Sequence, residues 1–207
     1  MKRRNMGLAV MGTAVAALAL SACSTANPGD AAVVGETRIP QTTIAEQMKS
    51  LNEAVGQPAD TPDANLARTL VSYNIGYELI GETAAQLGVT VPAAQLDEIY
   101  QQQVQQLGGE TQLEQAAARQ GVAPANLRRD LETQLLASAI VTKVAPEGDE
   151  AAGQAVLVEQ VRAVADSIGV EVAPKYGTWD SEQLQLLPDA DPVSRPEQDP
   201  AAALPMP

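Results

Sequence analysis

The chain contains no histidine and no phenylalanine, a single cysteine, one tryptophan and four tyrosines. Each scarcity excludes a kind of chemistry. Without histidine, the usual general base and metal ligand near neutral pH is missing. One cysteine allows neither an internal disulfide nor a Cys-x-x-Cys pair, so packing alone must hold the fold. Neither a G-x-x-x-x-G-K-[ST] nor a G-x-G-x-x-G sequence occurs, so no loop is built to cradle phosphate. Positive charge is scarce too, with 13 Lys and Arg against 26 Asp and Glu, which argues against nucleic acid or anionic headgroups as partners. Acids are plentiful, but in Asp97-Glu98 and Asp149-Glu150 they are adjacent. Neighbours on a helix point in different directions, so both pairs read as solvated faces. No enzyme activity, catalytic residue, cofactor or metal is expected.

What is present begins with an export signal. Lys2, Arg3 and Arg4 precede an uncharged apolar run, Gly7 to Leu20, which is followed by small residues. That run falls short of the about 20 apolar residues of a membrane-spanning helix. Leu20-Ser21-Ala22-Cys23 matches the lipobox of bacterial lipoproteins residue by residue. It implies cleavage between Ala22 and Cys23 and a diacylglyceryl thioether on the Cys23 thiol, with palmitate-like acyl chains. Each buried methylene contributes about 0.8 kcal/mol, so two or three chains hold a protein stably. The expected location is the extracytoplasmic face of the cell membrane. Removal of residues 1–22 takes away three positive charges and moves the formal charge from −13 to −16.

Four segments are expected: a signal peptide at 1–22, the lipidated cysteine and a flexible tether at 23–30, one folded domain at 31–180, and a Pro/Ala/acidic, disordered tail at 181–207. Within the domain, Ala31–Val34 and the stretch around Ile39 read as short extended pieces. A first helix spans about Gln41 to Val55, with Ile44, Met48, Leu51 and Val55 inward. Thr61-Pro62-Asp63 predicts a helix start capped by the Thr61 hydroxyl. The next stripe, Leu66, Leu70, Tyr73, Tyr77, Ile80, Ala84 and Leu87, is the longest in the chain and stops at Gly88. A third helix turns Leu96, Ile99, Tyr100, Val104 and Leu107 inward. Thr111-Gln112-Leu113-Glu114 reads as a capping box that opens a short fourth helix. Pro124 starts a fifth, which carries Leu127, Leu131, Leu135, Ala139 or Ile140, and Val144 inward. A sixth runs from about Gln154 to Ile168, and Val170-Glu171-Val172 alternates like a strand. The predicted class is mainly α, with about six helices and a small sheet that pairs the two terminal strands.

Three stretches resemble the N-terminal domain of SurA-like periplasmic chaperones and foldases. They are Ala32-Val33-Val34-Gly35-Glu36 with Ile39, Leu79-Ile80…Ala84-Ala85-Gln86-Leu87-Gly88-Val89-Thr90-Val91, and Gly121-Val122 with Leu127-Arg128-Arg129-Asp130-Leu131 and Leu135-Leu136. Val172-Ala173-Pro174-Lys175-Tyr176-Gly177-Thr178-Trp179-Asp180 resembles the closing stretch of actinobacterial lipoproteins of this kind. Val34 stands where asparagine is usual, an extra residue precedes Ile39, and Ala173 and Lys175 also depart from the pattern. The resemblance implies a first strand paired near the C-terminal segment, with the helices between sharing one core. Many SurA-like proteins add a parvulin prolyl-isomerase domain with a histidine-rich site, on the order of 100 residues like other small domains. Here only Pro146–Gly153 and one helix fill that place.

The resemblance implies a non-catalytic, chaperone-like lipoprotein whose partners are unfolded or extended exported polypeptides. An envelope adaptor that holds one folded partner is the rival from another class, and a degenerate isomerase a third reading. Tyr73 and Tyr77, four apart on one helix, are the candidate client-binding residues through ring contacts. Core packing is the reading of the pair that the residues favour, in a chain so poor in aromatics. Trp179 is expected to cap the terminal sheet. Sequence sets no oligomeric state.

Overall fold

Asp30–Val34 (β1) is an unbroken run of small and β-branched residues after its first position, and every one of its residues is buried. It sits at the centre of a three-stranded antiparallel sheet, between Thr37–Pro40 (β2) and Val170–Val172 (β3). Ala32 faces Val172 and Val34 faces Val170, so segments almost at opposite ends of the domain pair as expected. Gly35 makes the β1–β2 turn at φ +57°, and its N–H donates to the Gly169 carbonyl at 3.0 Å. The computed structural model describes residues 28–145 and 149–188. The signal peptide, the Ala22–Cys23 bond and Cys23 therefore lie outside the described residues, as do residues 189–207.

The first helix, Gln41–Ala54 (α1), buries Ile44 and Leu51. Val55, expected inward, is 43% exposed because the helix ends before it. The second helix, Ala64–Leu87 (α2), is the centre of the molecule. Its cap is Asp63, not Thr61: the carboxylate accepts from the N–H groups of Asn65 and Leu66 at 2.8 and 2.9 Å. Thr61 lies too early to reach those amides and its hydroxyl donates to the Pro58 carbonyl instead. A carboxylate at this position also complements the helix dipole. The expected α2 stripe was too narrow. Leu70, Val71, Ile75 and Leu79 are each at most 1% exposed, because α1, the sheet and two later helices cover α2 from several sides.

The third and fourth helices, Ala93–Leu107 (α3) and Glu110–Ala118 (α4), form an arm with its own cluster of Leu96, Tyr100, Leu113 and Leu131. Leu107 was expected inward but is 46% exposed at the end of α3. Thr111 does not cap α4. The helix starts two residues earlier, with Gly109 at φ +137° in the cap position and no side-chain cap. After a 3-10 turn at Pro124–Asn126 come Leu127–Val144 (α5) and Glu150–Ile168 (α6). The sixth helix starts earlier than Gln154, since the Asp149 carboxylate accepts from Ala152 N–H at 3.0 Å. Gly153 lets α6 approach α5, for a Cβ there would lie 2.8 Å from Cβ of Ala145. Helices thus dominate and a small sheet closes the fold. Among the described residues no helix is long and apolar enough to cross a membrane.

Two boundaries shift. The expected tether to residue 30 ends sooner, because Asp30 already belongs to β1 and Gln41 N–H bonds the Gly29 carbonyl at 2.9 Å. The domain does not close at Asp180. Thr178–Asp180 (β4) pairs with Gln185–Leu187 (β5), and Leu186 is 8% exposed within the main core, so residues 181–188 belong to the fold and not to the tail. Trp179 sits on β4 of this hairpin, which packs beside β3 of the terminal sheet.

Candidate functional site

Arg128 and Arg129 are neighbours on α5, about 100° apart around the helix axis, so they address different helices. Arg129 lies over the Tyr77 ring, 5.1 Å from its centroid, and pairs with Glu78, both on α2. Arg128 lies 5.1 Å over the Tyr100 ring and pairs with Asp97, both on α3. Asp130 accepts from the Tyr77 hydroxyl at 3.2 Å and from Gln134 at 2.6 Å. The Leu127-Arg128-Arg129-Asp130-Leu131 stretch is thus a clamp that joins the α3–α4 arm to the central helix.

This clamp decides the place of the two candidate tyrosines. Their rings stack at 6.5 Å with 18° between planes. Tyr77 is 7% exposed beneath Arg129, and the half-buried Tyr73 lies against Gly121 in the loop before α5. They come together, but as packing between α2 and the segment that follows α4. Tyr77 offers no open surface to an extended chain.

Burial raises the Tyr77 hydroxyl above its ordinary titration range, and the charge of Asp130 and its hydrogen bond act in the same direction. In the unfolded chain a tyrosine ionises near pH 10. The stability carried by neutral Tyr77 is therefore complete below about pH 10 and is lost as pH rises toward its folded value. Tyr77→Phe is expected to cost about 1 kcal/mol at pH 7. It should also flatten the decline in denaturation midpoint above pH 10, and an equally steep decline in the variant would contradict this origin.

The described surface offers three concavities of note. One of about 850 Å³ lies beside the β1–β2 turn and carries charge on Glu36, Arg38, Glu78 and Glu82. One of about 650 Å³ between α5 and α6 mixes polar groups, among them Gln134, Ser138, Thr142 and Gln154, with the apolar surface of Ala137, Val141 and Ala145. The third, of about 590 Å³, is walled mainly by apolar atoms. Ile44, Ala45 and Met48 of α1 form one side, Ala64 and Ala67 of α2 the other, and Tyr176 joins the lining from the C-terminal part of the fold. Small alanines on facing helices leave the trough, and the unbranched Met48 gives it an adaptable floor.

Several hydrogen bonds fix these walls. Asn52, buried on α1, donates to the carbonyls of Ala59 and Thr61 and so holds the loop that leads to Pro62 and Asp63. Arg68 donates to the Tyr176 carbonyl at 3.0 Å. At the rim, Lys175 donates to Gln41 at 2.7 Å, and Gln41 donates in turn to the Pro28 and Asp30 carbonyls. Periodicity gave no hint of this groove. Its alanines scan as an indifferent outer face, and Lys175-Tyr176 reaches it from far along the chain.

Among the described residues no group of three or more Cys, Asp or Glu is placed to hold a metal ion. Comparison with protein-family models, curated proteins and solved structures finds no match to this chain.

Proposed function

We propose that the chain is a non-catalytic, chaperone-like lipoprotein of SurA N-terminal type. It is anchored through lipid on Cys23 at the extracytoplasmic face of the cell membrane, and it holds extended apolar segments of exported polypeptides. The observation that carries the reading is the open apolar groove between α1, the start of α2 and Tyr176. An extended segment in the groove removes on the order of 250 Å² of apolar surface from water, wall and segment together, and gains about 6 kcal/mol gross. Loss of translational freedom and ordering of the segment offset much of this. Binding is therefore weak and quickly reversed, as suits transient holding of many clients.

The groove lies near the anchor. Gln41, on its edge, bonds the Pro28 carbonyl, and Cys23 is five residues earlier in sequence. Five residues span at most about 18 Å. A client in the groove is thus close to the membrane from which exported chains emerge, and the acidic mature chain, −16 in formal charge after loss of Lys2, Arg3 and Arg4 from −13, keeps the complex soluble.

The groove is tested with Ala45→Arg and Ala67→Arg. Each should abolish suppression of aggregation of a reduced, unfolding client, with the unfolding midpoint close to that of the parent. Unchanged suppression in both variants, or capture of one stoichiometric folded partner in place of many weak clients, would overturn the reading. The anchor is tested separately. Cys23→Ser should abolish metabolic labelling with palmitate and release a folded protein, and a variant that stayed labelled would refute it.

A further inference from the structure

We propose that the chain's own segment Ala201–Pro207 occupies this groove in cis and competes with clients. The inference rests on the reading that the groove takes extended apolar chain. Four features bear on it. First, Ala201-Ala202-Ala203-Leu204-Pro205-Met206-Pro207 is an apolar run with no charged or hydrogen-bonding side chain, next to the acid-containing stretch 189–200. Prolines at 192, 196, 200, 205 and 207 oppose helix formation and bias their neighbours to extended backbone, the form an open trough admits.

Second, the chain leaves the described fold beside the groove. A Cβ on Gly177 would lie 2.0 Å from the Leu187 carbonyl oxygen and 3.5 Å from Cα of Pro188. Residue 188 therefore lies against the immediate neighbour of Tyr176, a lining residue of the groove. Third, residues 189–200 can span up to about 40 Å, ample for the return. Fourth, the charges match. Lys175 lines the groove beside Gln41, and Glu197 and Asp199 shortly precede the apolar run. The rim acid, Asp63, is turned to cap α2.

A segment tethered this closely acts at an effective concentration of about 1 mM, so even a weak cis contact holds clients off until they are locally abundant. Cys23→Ser protein with Ala45→Cys and Leu204→Cys decides the point. Under mild oxidation the 45–204 disulfide should close within one molecule about tenfold faster than a control pair of Ser138→Cys with Leu204→Cys. Ser138 lies in the other, α5–α6 groove. Equal rates, or closure that depends on protein concentration, would overturn cis occupancy.

A labelled peptide of residues 196–207 then separates this proposal from the one beneath it. It should bind Leu204→Asp/Met206→Asp protein about tenfold more tightly than the parent. Equal binding to both, without the preferred disulfide, leaves the groove a peptide site and removes the cis segment. Binding to neither removes both.

Discussion

Gly177→Ala is expected to cost about 3 kcal/mol or more and to detach the terminal hairpin before the helices melt. Gly177 has φ +116°, a conformation that L side chains rarely adopt, and the added Cβ would meet backbone, the Leu187 oxygen at 2.0 Å. Neither atom sits at the end of a movable side chain, so β4 must move from β5. With them would go the burial of Leu186 and the setting of Tyr176, whose carbonyl is held by Arg68. Trp179, the only tryptophan, lies two residues away and reports the hairpin by fluorescence. Its transition should fall to lower denaturant than the far-UV transition of the helices. Coincident transitions at the parent midpoint would show that the clash is absorbed.

The second large effect concerns a polar pair inside the core. Gln47 of α1 and Asn74 of α2, 4% and 2% exposed, exchange hydrogen bonds: Asn74 donates to Gln47 at 2.8 Å, and Gln47 to Asn74 at 3.3 Å. Asn74 also donates to the Leu70 carbonyl. Asn74→Leu strands the Gln47 amide away from water and should cost about 2 to 3 kcal/mol. Gln47→Met added to it removes the orphan, and the double variant should recover at least about 1 kcal/mol of that loss. Chemical denaturation of the parent, both single variants and the double variant measures the coupling. Additive losses would mean that the two amides act independently. Because Gln47 adjoins Met48, the same pair sets how α1 lies on α2, and hence the width of the groove.

These effects turn on features that differ in how far the sequence reveals them. The stripe Leu66, Leu70, Tyr77 and Ala84 was legible because a helix repeats at 3.6 residues and α2 is long enough to show it. The opposite stripe, Val71, Ile75 and Leu79, was not read from that spacing. A helix apolar on several sides has no single face to detect, and only its place among α1, α5, α6 and the sheet explains it. The caps were found to within two residues. Thr61 and Asp63 both suit the position, and the choice lay in which oxygen reaches Asn65 and Leu66. Tyr73 and Tyr77 were legible as a pair, but their cover was not, since Arg129 and Asp130 lie about 50 residues further along the chain.

What the sequence by itself determined is local in origin: helical class, glycine stops and the strand-like ends, while the lipobox at Cys23 and its compartment, read from the same kind of local pattern, are proposals. Hydrophobic period, backbone preference and a short contiguous recognition stretch are properties of neighbours in the chain. What the tertiary structure alone decided is where surfaces meet. It set β4 against β5 beyond Asp180, turned adjacent arginines to separate helices, and joined alanines of α1 and α2 with Tyr176 into one apolar trough. Those are relations between residues up to about 130 positions apart, made by burial of a common core, and no periodicity along the chain encodes them.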